Sequence, residues 1–110
     1  MPKLPAQKCV PCEGGVPPLN VQEIIILHRE IPQWNVLNEG KIEREFKFKD
    51  FQSALNFVNK VGALAEKENH HPDLLLHSWN KVRITLWTHA INGLSKNDFI
   101  VAAKVDQTKK

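Results

Sequence analysis

A chain of 110 residues with 42% hydrophobic and 25% charged side chains has room for one domain around one core and the composition of an ordinary globular protein. Its formal net charge of +3 falls short of the dense basic stripe that marks nucleic-acid binding, and no apolar run is long enough to span a bilayer. The opening Met1-Pro2-Lys3-Leu4-Pro5 lacks the apolar core of a signal peptide, so the reading is a cytoplasmic chain with reduced thiols.

Residues 1–18 are rich in Pro and Gly and read as an irregular N-terminal arm ahead of a single domain at 19–110. Within the arm, Cys9 and Cys12 form a Cys-x-x-Cys, a spacing used by zinc sites and redox pairs. No second cysteine pair completes a four-thiolate site, and no strand precedes the motif as a thioredoxin-like arrangement needs. A structural role is the plainer reading; a metal site completed in space by a histidine such as His28 is the alternative.

Asn20 is placed to cap a first helix over Val21–His28, whose Ile24-Ile25-Ile26-Leu27 run predicts packing on more than one side. Pro32 ends that pattern. Trp34 to Leu37 then reads as a short strand, with Asn38-Glu39-Gly40 as a hairpin turn. From Lys41 the chain alternates: Ile42, Phe46 and Phe48 fall on one face, Glu43, Glu45 and Lys47 on the other, with Arg44 interrupting the apolar side. Asp50 caps the longest helix, which runs to about Glu68 with Phe51, Ala54, Leu55, Val58, Val61 and Ala65 as its buried stripe. Gly62 inside it costs roughly 1 kcal/mol against alanine, a cost that close packing on the sheet would explain. Leu74–Ser78 and Lys81–Thr88 read as a second pair of strands, and His89 ends its strand on the less apolar face. Ser95-Lys96-Asn97-Asp98 looks like a capping box opening the last helix. Helix, two strands, helix, two strands, helix predicts an α+β domain: a four-stranded antiparallel sheet with three helices packed on one face.

The junction Glu66-Lys67-Glu68-Asn69-His70-His71-Pro72-Asp73 is where chemistry is expected. Glu66 lies four residues before His70, so the two share a face if the helix persists. Pro72 pushes His71 out of helical geometry, so the two rings should diverge. Histidine titrates near neutrality, which suits proton transfer. His77 and His28 read as surface residues, and Asp98 has a sufficient role as a cap.

The assembled pattern is Glu66, three residues, His70-His71-Pro72, six residues, Trp79, nine residues, His89, eight residues, Asp98. It resembles the pterin-4a-carbinolamine dehydratases, as do Asn80-Lys81-Val82, Ile84-Thr85-Leu86, Thr88-His89, Gly93-Leu94-Ser95 and the helix at Asp50-Phe51 and Ala54–Phe57. The resemblance implies a lyase that removes water from a 4a-hydroxytetrahydropterin, restoring the pterin used by aromatic amino-acid hydroxylases. It also implies a homodimer or homotetramer, and no metal or organic cofactor. It makes His70 and His89 general acid–base groups and has His71 bind the pterin, with Glu66 aligning a histidine or accepting a ring N–H. Trp79 and Asp98 join Glu66 as substrate-binding candidates. Many animal members carry an aromatic almost directly after the proline. Here Asp73-Leu74-Leu75-Leu76 follows and Trp79 comes later, which leaves open which ring stacks on the pterin. The competing readings are a non-catalytic interaction or coactivator module on the same fold, and a zinc site built from the histidines. The intact histidine pattern speaks against the first, and the adjacency of His70 and His71 against the second.

Overall fold

The computed structural model describes residues 3–9, 17–38 and 40–109; Cys12 of the cysteine pair and Glu39 of the expected hairpin turn lie outside that range. The elements follow the predicted order: α1 (Val21–His28), β1 (Asn35–Leu37), β2 (Lys41–Lys47), α2 (Phe51–Glu68), β3 (Asp73–His77), β4 (Lys81–Leu86) and α3 (Lys96–Lys109). Each strand pair is an antiparallel hairpin, and the hairpins join through β2 and β4 to give the order β1-β2-β4-β3. Alternation then decides the faces: Ile42, Phe46, Val82, Ile84 and Leu86 are all buried beneath the helices. The fold is α+β, a four-stranded antiparallel sheet with three helices on one face.

The caps act as the sequence predicts. Asn20 and Glu23 form a reciprocal capping box on α1, and Asp50 Oδ1 accepts the Ser53 N–H at 2.7 Å on α2. Arg44 interrupts the apolar face of β2 because it reaches α3: its Nη1 donates to Asp106 Oδ1 at 2.7 Å, and the Trp34 indole N–H donates to the same oxygen at 2.9 Å. Part of the N-terminal arm belongs to the core. A 3-10 turn at Leu4–Ala6 carries Leu4 to full burial, worth roughly 1.5–3 kcal/mol over an exposed leucine.

Four local expectations are corrected. The buried stripe of α2 is Ala54, Phe57, Val61, Ala65 and Glu68, rotated so that Phe51 is exposed and Phe57 meets the Phe46 and Phe48 rings at 4.9 and 5.0 Å. Gly62 is not explained by close packing, since a Cβ there would meet nothing within 4 Å. The apolar run of α1 is covered on one side: Ile24 is buried, while Ile25 and Ile26 face outward. β4 stops at Leu86, and His89 opens a 3-10 turn over His89–Ile91 instead of closing the strand. That turn needs Gly93 at its base. Thr88 and Gly93 exchange backbone hydrogen bonds at 2.8 and 3.4 Å, and any Cβ on Gly93 would sit 2.7 Å from Pro18.

Candidate active site

The C-terminus of α2 creates the site by reversing the chain. Asn69 adopts a left-handed conformation (φ 51°), its N–H donates to the Glu66 carbonyl at 3.3 Å, and the His70 N–H donates to the Ala65 carbonyl at 3.2 Å. That pair of bonds closes the helix as a Schellman turn and throws the next two side chains off the helix. His70 turns inward and His71 outward, the divergence expected of the His-His-Pro junction. The carboxylate pairing is not the expected one. Glu66 Oε1 accepts from His71 Nε2 at 3.0 Å, both groups being largely exposed, because the left-handed residue breaks the helical register that would have set Glu66 under His70.

His70 finds its carboxylate on another helix. Its Nε2–H donates at 2.6 Å to Oδ1 of Asp98, which stands in the first turn of α3 with no solvent exposure. Asp98 Oδ2 accepts the Thr88 hydroxyl at 2.8 Å and the Ser95 N–H at 2.9 Å, the second being the acidic half of the expected capping box. Thr88 has one proton and gives it to Asp98, so the 2.7 Å contact between Thr88 and Ser95 is a bond donated by the Ser95 hydroxyl. The His70 ring N–H, the Thr88 hydroxyl and the Ser95 backbone N–H all converge on one carboxylate, which in its ionised form only accepts. With Nε2–H engaged, the lone pair of a neutral imidazole at this position falls on Nδ1.

His70 and Thr88 border a cleft of about 690 Å3 that His71, Pro72, Asp73, Trp87, His89 and Asn97 line with them. Its volume is in the range usual for small-molecule sites. The far wall comes from the arm. The Cys9 N–H donates to Glu68 Oε1 at 3.0 Å and the Cys9 thiol to the Asn97 carbonyl at 3.7 Å, while Lys104 Nζ holds Glu68 Oε2 at 2.8 Å. Burial, with the Glu68 carboxylate beside it, pushes the Cys9 thiol up to about 12, so it stands in the cleft wall as a thiol and not as a nucleophilic thiolate. Burial also acts to raise Glu68, but the Lys104 ammonium and the Cys9 N–H outweigh it and hold this carboxyl below its ordinary value.

Of the sequence candidates, His70, His71 and His89 meet at the cleft, Glu66 touches it through His71, and Asp98 lies behind His70 rather than on the cleft surface. Trp79 is not brought there. It sits in the turn after β3 with φ 57° and 62% exposure, separated from the Asp73 end by the length of the strand, roughly 17 Å. His77 pairs with Glu45 and the Ser78 hydroxyl near that same turn, and His28 Nε2–H donates to the Trp34 carbonyl at 2.6 Å. Among the described residues, no three His, Cys, Asp or Glu side chains are grouped as metal ligands. Sequence reasoning missed Trp87 and Thr88. Their signal is the alternation in Trp87-Thr88-His89, which sends Thr88 inward and the two rings outward. A second hollow of about 400 Å3, lined by Lys47, Lys49, Lys60 and Lys109, has neither histidine nor carboxylate and lies at the opposite end of α2.

A family model described as "Pterin 4 alpha carbinolamine dehydratase" matches residues 17–108. A protein of Rubrobacter xylanophilus is 50% identical over 107 residues, 97% of this chain and 99% of its own length. One of Alkaliphilus metalliredigens is 55% identical over 111 residues, covering 97% and 96%. Both bear the name "Putative pterin-4-alpha-carbinolamine dehydratase". The crystal structure of a "transcriptional coactivator/pterin dehydratase" from Brucella melitensis matches with a TM-score of 0.78 at 33% identity, covering 84% of this chain and 99% of that one. A pterin dehydratase-like protein identified as a RuBisCO assembly factor in the alpha-carboxysome shares the fold at a TM-score of 0.59 and 22% identity, over 69% of this chain and 88% of that one.

Proposed function

The chain belongs to the pterin 4 alpha carbinolamine dehydratase family, and from that premise we propose that it removes water from a 4a-hydroxytetrahydropterin to give the quinonoid dihydropterin. The observation that carries this reading is the cleft itself, where three imidazoles from two separate segments converge and two of them are each held by a carboxylate. The elimination breaks the bond between C4a and the hydroxyl oxygen and removes the proton from the neighbouring ring nitrogen. The hydroxyl departs as water if it is protonated as it leaves. Two protons therefore move in opposite directions, and each positioned acid or base typically contributes about 10²–10⁴-fold.

His70 is the base in this proposal. Asp98 holds its Nε2–H, fixing the tautomer whose Nδ1 lone pair takes the ring proton. His89, on its own turn, is the acid that protonates the hydroxyl from the other side. His71, steadied by Glu66, binds and orients the pterin. The reaction moves protons and a hydroxyl, so side chains suffice for it. The setting proposed is cytoplasmic, in an oligomer, recycling the pterin that an aromatic amino-acid hydroxylase has used.

A second role, as an interaction module, is favoured by one observation: Val21, Ile25 and Ile26 leave an apolar face of α1 uncovered. It is compatible with catalysis, since that face belongs to a different helix from any that lines the cleft. The test is a dehydration assay on a synthetic carbinolamine with wild type, His70→Ala and His89→Ala, with and without chelator. Acceleration that survives chelator and drops at least 100-fold in either variant is expected. Activity that vanishes with chelator and returns with zinc, or that is equal in all three proteins, would overturn the reading.

A further inference from the structure

His70 and His71 each lean on a carboxylate; His89 does not. Among the described residues no hydrogen bond reaches its ring, it is exposed, and its backbone belongs to a short 3-10 turn. Its ring contact is with Trp87, whose indole centroid lies 4.2 Å from the imidazole centroid at an interplanar angle of 43°. The indole is itself engaged from β2, with Lys41 Nζ 4.2 Å from the ring centroid. We propose that Trp87 is the positioning residue for His89: its indole, braced by Lys41, holds the imidazole on the cleft side in the pose from which it transfers a proton. This rests on the dehydratase reading and adds to it a residue that neither the histidine pattern nor the cap motifs single out.

Backbone geometry gives the first support. Trp87 and His89 flank Thr88, whose backbone is extended, so their side chains leave on the same side, while Thr88 itself is buried and bonded to Asp98. The Thr88–Gly93 bridge fixes the base of the turn. The backbone of His89 is therefore set, and only its two side-chain torsions stay open. A proton donor must come within hydrogen-bond reach of the departing oxygen, and freedom in those torsions would have to be lost on the way to the transition state. An aromatic contact removes that freedom beforehand without engaging either ring nitrogen, which a hydrogen bond would do. Lys41 supplies the second support. The β2–β4 ladder registers Ile42 opposite Leu86, and one step further sets Lys41 opposite Trp87, where its ammonium is attracted to the indole. Trp87 has an N–H donor but nothing that titrates, so its contribution is placement and not proton transfer.

The test compares wild type with Trp87→Leu, Trp87→Phe and Lys41→Met in the carbinolamine assay. The His89 ring C–H resonances, identified by their loss in His89→Gln, are followed by NMR in parallel. In the wild type those resonances are expected to be shifted upfield by the indole. Trp87→Leu is expected to return them to free-histidine positions and to lower kcat by roughly ten- to hundredfold while KM changes little. Trp87→Phe keeps part of the upfield shift and most of kcat. Lys41→Met, a change at an exposed residue, moves both readouts in the same direction by less and keeps the proposal testable if Trp87→Leu does not fold. An active wild type whose Trp87→Leu variant matches it, a loss confined to KM, or His89 resonances unmoved by the substitution overturns the proposal alone. A wild type without activity on the carbinolamine overturns the dehydratase reading, and this proposal with it.

Discussion

Asp98 accepts from His70, Thr88 and Ser95 in a position that solvent does not reach, and this makes asparagine a poor substitute there. The amide of Asn would turn an N–H toward either His70 or the Thr88 and Ser95 donors. Facing His70, it would drive the imidazole to the other tautomer and put a proton where the lone pair is needed. Facing the other two, it would leave buried donors opposed, at about 1–3 kcal/mol. Asp98→Asn is therefore expected to keep the fold with a lowered melting temperature and to reduce kcat by about 10²–10⁴-fold, checked by steady-state kinetics beside a thermal melt. A variant with wild-type kcat would reduce Asp98 to a cap. The divergence of His70 and His71 is legible in the sequence, because helix-ending and proline effects act over a few residues. The His70–Asp98 bond is not. It spans 28 residues between two helices, and no local pattern marks which carboxylate an inward-turned imidazole will meet.

At the scale of elements, the order of helices and strands is legible from periodicity and caps, whereas which face of α2 is buried is not. Phe51, Leu55 and Val58 suit an apolar stripe as well as Phe57 does. The choice is made by Phe46 and Phe48 on the sheet, whose rings receive Phe57. Gly62 lies off that buried row with open space where its Cβ would be. Gly62→Ala is expected to stabilise the chain by about 1 kcal/mol, read as a rise in melting temperature with kcat unchanged. A fall instead would mean that another copy of the chain packs over this part of α2.

For the molecule as a whole, two properties follow from groups far apart in sequence. The Cys9–Glu68–Lys104 cluster joins the arm, α2 and α3, and it makes stability depend on pH at both ends. Cys9 is raised from 9.0 to about 12 in the folded chain, so above about pH 9 the unfolded chain loses a proton that the folded one keeps, and stability falls as pH rises through that window. Glu68 is lowered, so its contribution is present above its unfolded value and fades as acid protonates it in the folded chain. Melting curves should fall less steeply between pH 8 and 10 in a Cys9→Ser, Cys12→Ala protein than in Cys12→Ala alone; identical slopes would remove Cys9 from the account. The uncovered α1 face and the open β1 and β3 edges predict self-association, with a dimer or tetramer in sedimentation at micromolar concentration and a shift toward monomer in Ile25→Lys. A wild-type monomer would contradict this. The burial of Leu4 and the seating of Cys9 against Asn97 also bear on synthesis. While the ribosome still holds α3, Cys9 lacks its Asn97 contact and His70 has no carboxylate. The cleft is thus completed late in biogenesis, and a chain truncated before α3 would leave His70 without Asp98 and Cys9 without Asn97.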